Sequence, residues 1–174
     1  HYNFDLMDGG SWGAYWNSIE LAAWTAVIGT AMVFTGAYLV EKSKGFHSGR
    51  AAMQLLCMIP MAVPGLVLGL AYVFFFNAPS NPLGFLYHTM PILVICTVTH
   101  FYTVAHLTAA TALKQLDGEF ESVSQSLKVP FYKTFFRITV PVCMPAILDI
   151  SMYLFVNAMT PVSAGGFLYS PDTA

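Results

Sequence analysis

Charge is what this sequence has least of. Asp, Glu, Lys and Arg make up 9% of its 174 residues, while 56% are hydrophobic and the mean hydropathy is +0.62. A soluble domain carries about 25% charged residues. The chain therefore reads as an all-α polytopic membrane protein, with room for about four spans of about 20 residues each plus loops. Basic residues are absent from most of its length. All seven fall in two intervals, Lys42, Lys44 and Arg50 in the first, Lys114, Lys128, Lys133 and Arg137 in the second. The positive-inside rule places both intervals in the cytoplasm.

Other absences narrow the chemistry. Cys57, Cys96 and Cys143 lack the paired spacing of a metal site and read as small core residues. His100 and His106 are six positions apart, about 240° around a helix after whole turns, so they face different ways and do not share a metal. A membrane enzyme using His100, His106 and Asp149 is disfavoured, because no nucleophile or metal motif accompanies them. No Gly-Lys-Ser/Thr phosphate loop is present, so ATP hydrolysis does not reside in this chain. The start is aromatic and acidic, without a basic-then-apolar leader or an initiating Met. With both ends placed outside by the basic loops, residues 1–174 read as one transmembrane domain lacking flanking spans.

The first span is expected over about 18–40 and the second over about 51–76. The second contains Pro60 and Pro64, which remove backbone bonds, and Gly65 and Gly69, a small-xxx-small pair that admits a neighbouring helix. A membrane tolerates such a break where protein or a cavity satisfies the freed carbonyls, which makes Pro64 and Gly65 candidates for a pathway lining. The third span is expected over about 86–107, extending to Leu113. The fourth runs from about Pro141 or Ala146 to Leu168, with Asp149 near its inner end. Asn157, Thr160 and Ser163 make its outer half polar enough for a pathway, although helix-to-helix hydrogen bonding is the commoner use of such residues.

Between the third and fourth spans, residues 114–141 form the longest polar and charged interval. Leu116, Phe120, Val123 and Leu127 recur at helical spacing, opposite Asp117, Glu119, Glu121 and Gln125, so a short amphipathic helix is expected over 113–126. Pro130 disfavours helix at Val129, which ends this helix near Lys128. A second short helix, with Phe131, Phe135 and Ile138 against Lys133 and Arg137, is expected to run to Pro141. Such a hairpin suits a handle for a soluble partner; the bland alternative is a hairpin lying on membrane lipid.

This loop resembles the signature of the inner-membrane permeases of bacterial ABC importers, the MetI-like permease family. That signature runs Glu-Ala-Ala, three residues, Gly, nine residues, Ile, one residue, Leu-Pro. With Pro141 on the final Pro, Ile138 takes the Ile position, Val140 the Leu position and Lys128 the Gly position. Ser122, Val123 and Ser124 then occupy the triplet, and only Ile138 and Pro141 match strictly. The stretches HFYTVAHLTAATALKQLD, SVSQSLKVPFYKTFFRITVPVCMPAILDI and YLFVNAMT resemble the permeases of 2-aminoethylphosphonate importers. Permeases for ferric iron, thiamine, sulfate or polyamines share the general signature.

The resemblance implies a core of about five or six helices, paired with a second permease subunit or fused half around a pathway. It also implies a cytoplasmic ATP-binding subunit that carries ATP and Mg, and a periplasmic substrate-binding protein. No cofactor is expected in this chain and no nucleic acid among its partners. The docking segment would be Ser122, Val123, Ser124, Gln125, Ser126, Leu127 and Lys128, with Glu119 and Glu121 beside it. Ile138, Val140 and Pro141 would close the coupling loop. The implied role is a multi-pass transport subunit of the bacterial inner membrane, not an enzyme, that couples ATPase closure to alternating access. A channel without energy input would need no such hairpin.

Overall fold

The computed structural model describes residues 10–42, 47–79, 81–87, 89–116 and 118–160. Every regular element among these residues is helical. In chain order they are α1 (Gly10–Lys42), α2 (His47–Ala62), α3 (Gly65–Phe76), α4 (Met90–Gln115), α5 (Glu119–Ser126), α6 (Phe131–Thr134), α7 (Val140–Val142) and α8 (Met144–Ala158). A 3-10 turn over Gly84–Leu86 precedes α4, and a π-helical turn over Phe135–Thr139 joins α6 to α7.

Two stretches, Tyr15–Lys42 and Met90–Gln115, are long and apolar enough to cross a bilayer alone. Two further crossings arise only if each bent pair counts as one span. Gly49–Ala62 and Gly65–Phe76 meet at 104°, and Phe131–Val142 and Met144–Ala158 meet at 75°.

The second span expected over 51–76 is thus broken in two. Pro64 stands before α3 with extended backbone, φ −56° and ψ 139°, and needs no N–H there. One turn before Pro60 the carbonyl of Cys57 accepts a hydrogen bond from Thr103 Oγ1 of α4 at 2.8 Å. A neighbouring helix therefore bonds to the backbone next to Leu56, whose carbonyl Pro60 leaves without its helical N–H.

The second short helix expected up to Pro141 extends into an arm over 131–142 that meets α8, the start of the expected fourth span, at 75°, so the two could together count as one bent crossing. Pro141 lies at the start of α7 and Pro145 at the start of α8. The wide π turn ends at Thr139, with Val140 between it and Pro141, and holds Arg137, whose carbonyl the Pro141 ring would meet in a regular helix. Ser163 and the remainder of the expected span to Leu168 lie outside the described residues. A second correction concerns the loop. The amphipathic helix begins at Glu119 rather than at 113, because α4 continues to Gln115. Leu113 is fully buried and Leu116 packs against the same core, so the first apolar positions of the pattern belong to α4 and its end.

The core lies where α1 packs along α4 and α8. Val33 and Ala37 of α1 meet Ala105, Ala109 and Leu113 of α4 and Ile150 and Leu154 of α8. The small residues bring the backbones close. At Gly29 an added Cβ would lie 2.7 Å from Leu154 Cδ1 and 3.0 Å from Val98 Cγ2, so a larger side chain would have to displace the Leu154 side chain. A second cluster, built on Leu21, Ile92, Leu93 and Cys96 with Leu68 and Tyr72 of α3 against it, fills the other end. Cys57, Cys96 and Cys143 are free thiols and all buried. The exterior is apolar: Leu55, Met61, Phe74, Phe85 and Met152 are among many large exposed hydrophobics. Such a surface suits lipid or another membrane chain as its neighbour, not water.

Candidate functional site: the basic end of the bundle

The two basic intervals are remote in sequence but adjacent in space. Glu41, near the end of α1, has a side chain only 4% exposed and forms an ion pair with Arg50 of α2. Its Oε1 accepts from Gln54 Nε2 at 3.2 Å and lies 3.7 Å from Lys114 Nζ at the end of α4. One carboxylate therefore ties together three helix ends and balances cations from both intervals. The sequence singles out the cations of the first interval and gives Glu41 no role. The signal that could have found it is its place as the single acid in the run from Glu41 to Arg50.

The loop after α4 builds out from this end. Lys42 and Tyr38 of α1 line a cavity of about 440 Å³ together with Ser124, Gln125 and Phe131. Tyr38 stacks on Phe131 with ring centroids 5.9 Å apart and meets Phe135 edge-on at 4.7 Å. These aromatic contacts fix the returning arm of the loop against α1.

The turn between α5 and α6 is the most informative element. Lys128 has φ 52°, in the left-handed region that favours glycine. Its N–H donates to the Gln125 carbonyl at 3.0 Å, the Val129 N–H donates to the Ser124 carbonyl at 2.9 Å, and Leu127 caps the helix. That pair of bonds is a complete Schellman ending, with Lys128 at the position usually held by Gly. Pro130, extended at φ −60° and ψ 139°, then starts α6. Lysine thus adopts the conformation for which glycine is the cheaper residue. Lys128→Gly is expected to stabilise this turn by about 1 kcal/mol, and Lys128→Val to destabilise it by more than that. Amide hydrogen exchange at Lys128 and Val129 reads the change; equal protection in all three proteins would contradict it.

The proposed docking residues fall into two groups. Ser124 is buried, so it supports the loop from within and offers little to a partner. Ser122, Gln125, Ser126, Leu127 and Lys128 are exposed, as are Glu119, Phe120 and Val123. Leu127 is 70% exposed at the tip, with Val129 exposed beyond the turn. The Ser122 and Ser126 hydroxyls bond back to the carbonyls of Gly118 and Ser122, at 3.1 and 2.9 Å. Glu121 belongs to the same helix, and Asp117 lies outside the described residues. At the loop's far end Ile138 and Val140 are half-buried and Pro141 is exposed.

The pathway candidates are not brought together by anything comparably specific. Pro64 is exposed and Gly65 half-buried at the break before α3. Asn157 Nδ2 donates to the Tyr153 carbonyl of its own helix at 2.7 Å, and Thr160 is exposed just beyond α8. The histidines have other surroundings. His106 is buried and stacked on Tyr102 at 5.5 Å, His100 meets Phe101 edge-on at 4.7 Å, and Asp149 is exposed on α8. Among the described residues no three His, Cys, Asp or Glu side chains are grouped to hold a metal.

Long apolar helices, an apolar exterior and cations gathered at one end define a helical membrane protein of more than one crossing. Residues 33–172 match the family described as binding-protein-dependent transport system inner membrane component, and the chain belongs to that family. It is accordingly a protein of the inner membrane. The chain is 34% identical over 168 residues to the ferric transport system permease protein FbpB of Actinobacillus pleuropneumoniae, a match covering 96% of this chain and 24% of that protein. It is also 34% identical over 112 residues to the Fe(3+)-transport system permease protein FbpB 2 of Haemophilus influenzae, covering 64% of this chain and 21% of that one. The putrescine transport system permease protein PotI of Escherichia coli K12 is 25% identical over 167 residues, covering 95% of this chain and 59% of PotI. The chain thus spans about a quarter of the length of the ferric permeases.

Proposed function

We propose that this chain is part of the permease of an ATP-driven, binding-protein-dependent importer, that α5 and its turn dock on a cytoplasmic ATP-binding subunit, and that the cargo is ferric iron. The observation that carries the docking reading is the exposed tip of the hairpin. Leu127 leads it, on a helix ended by a fully bonded Schellman turn and braced on α1 through Phe131 and Phe135. Burying one such apolar side chain in a partner's groove contributes about 1.5–3 kcal/mol. A push on the tip has a continuous path, through α6 and the π turn to the 75° joint and α8, which packs on α1 and α4. ATP and Mg belong to the partner subunit, a second permease half completes the pathway, and an external binding protein delivers the cargo.

The cargo reading moves from 2-aminoethylphosphonate to ferric iron because the 34%-identical relatives described above are named for ferric iron. Uptake of labelled ferric iron, 2-aminoethylphosphonate and putrescine by cells carrying the complete system tests it. ATP-dependent uptake of iron alone is expected. Uptake of the phosphonate or of putrescine in its place would overturn the cargo, and flux that survives loss of the ATP-binding subunit would overturn the importer reading.

A further inference from the structure

Below its tip the hairpin has a second surface. From the turn, α5 and the arm Phe131–Val142 diverge and enclose a cleft with a cavity volume of about 790 Å³. One wall is apolar, from Phe120 and Val123, both exposed. The other carries Lys133 and Arg137, four residues apart and so neighbours on one helix face. Lys128 lies toward the apex, and Glu119 is on the same lining, so among the described lining residues cations outnumber carboxylates three to one. The ion pairs among the described residues, Arg50 to Glu41 and Lys114 to Glu41, involve none of these three cations.

The level of this cleft follows from the fold. Lys133 and Arg137 stand on the first arm of the bent pair that, with α8, is apolar and long enough for one crossing. Tyr132 and Phe136 beside them are exposed. Basic side chains interleaved with exposed aromatic rings at the end of a span belong at headgroup depth on the cytoplasmic side. A cavity of this size also falls within the range of small-ligand sites.

We propose that the cleft between α5 and the α6–α7 arm binds the phosphate headgroup of an anionic phospholipid, with Lys133 and Arg137 on the phosphate and Phe120 and Val123 against its apolar part. Inorganic phosphate offers the same chemistry for the two cations, but it has no use for an apolar wall or for flanking aromatics. The site goes beyond the docking reading but shares α5, Leu127 and Lys128 with the proposed docking segment, so lipid retention and ATP-binding-subunit retention are read separately in the test.

The test uses the complete importer reconstituted in vesicles of equal parts phosphatidylglycerol and phosphatidylcholine, then released and weighed by native mass spectrometry. Retention of phosphatidylglycerol over phosphatidylcholine is expected. The Lys133→Gln/Arg137→Gln variant should retain about twenty-five-fold less phosphatidylglycerol, about fivefold for each basic residue, while Lys133→Arg/Arg137→Lys retains it. Val123→Asp, which puts a carboxylate on the opposite wall, should lose it as well and serves if the first variant does not fold. Unchanged retention in the glutamine or the aspartate variant would overturn the proposal. So would displacement of the lipid by millimolar inorganic phosphate, which would assign the cleft to the free ion. Loss of the ATP-binding subunit from the glutamine variant with lipid still bound would overturn it too, by assigning the cleft to an acidic segment of that partner.

Discussion

Leu127→Asp is expected to separate this chain from its ATP-binding subunit while leaving its insertion in the membrane unchanged. The side chain is 70% exposed and no described element covers it, so its replacement removes nothing from the core. In a docked complex the same position would desolvate a carboxylate in an apolar groove. Truncating a central apolar anchor of an interface costs about 2–4 kcal/mol, and adding a charge costs more, so association should weaken at least about a hundredfold. Co-purification of the ATP-binding subunit with tagged variant and wild-type chains measures it. The comparison variant is Ser124→Arg. Ser124 is buried beside the cavity against α1, so that substitution is expected to disturb the hairpin itself and to lower stability as well as association. Undiminished co-purification of Leu127→Asp would remove the tip from the docking surface.

The second large effect is expected at Glu41. Glu41→Ala takes away the one carboxylate that meets Arg50, Gln54 and Lys114, and leaves the partly buried Arg50 guanidinium without its counter-charge. Removing one member of a buried pair costs about 3–5 kcal/mol; with Arg50 35% exposed, about 3 kcal/mol is expected here. Lys114 is 61% exposed, so Lys114→Ala should cost less than about 1 kcal/mol. Thermal unfolding in detergent ranks the two variants. Because Glu41 and Arg50 act as a pair, Glu41→Ala/Arg50→Ala should be less destabilised than the sum of the single variants. Equal midpoints for wild type and Glu41→Ala would show that the three helix ends are held by packing alone.

Much of this architecture could be read from the sequence, and the misses share a cause. Scarcity of charge and clustering of Lys and Arg identify a helical membrane chain, because burial in lipid forbids most charges and topology sorts the rest. Spans one and three were legible as uninterrupted apolar runs, each close to one of the two helices long enough to cross alone. Spans two and four were legible only as apolar length. Pro60, Pro64, Pro141 and Pro145 mark where each changes direction, but proline fixes φ at one residue and the bend depends on how neighbouring helices meet the backbone around it. The Thr103 bond to Cys57 comes from a helix 46 residues away and leaves no local pattern.

The hairpin was visible from the period of Phe120, Val123 and Leu127. Its start was misplaced because Leu113 and Leu116 fit the same period while packing into the core of α4. The family resemblance put Lys128 on a Gly position, and Lys128 adopts φ 52°, the left-handed conformation that glycine favours, although lysine itself gives no sign of it. Backbone hydrogen bonds from Lys128 and Val129 impose that conformation, and a side chain identity does not encode it.

The chain's three cysteines are buried, which makes one direct measurement available. A single new cysteine at exposed Ser126, labelled with a short photoreactive maleimide in the assembled importer, reports what touches the hairpin tip. A matching cysteine at Met152, 68% exposed on α8, serves as the control. Docking through the tip predicts covalent capture of the ATP-binding subunit from position 126 and none from position 152. Equal capture from both positions, or none from 126 in a complex that still hydrolyses ATP, would contradict the coupling role of α5.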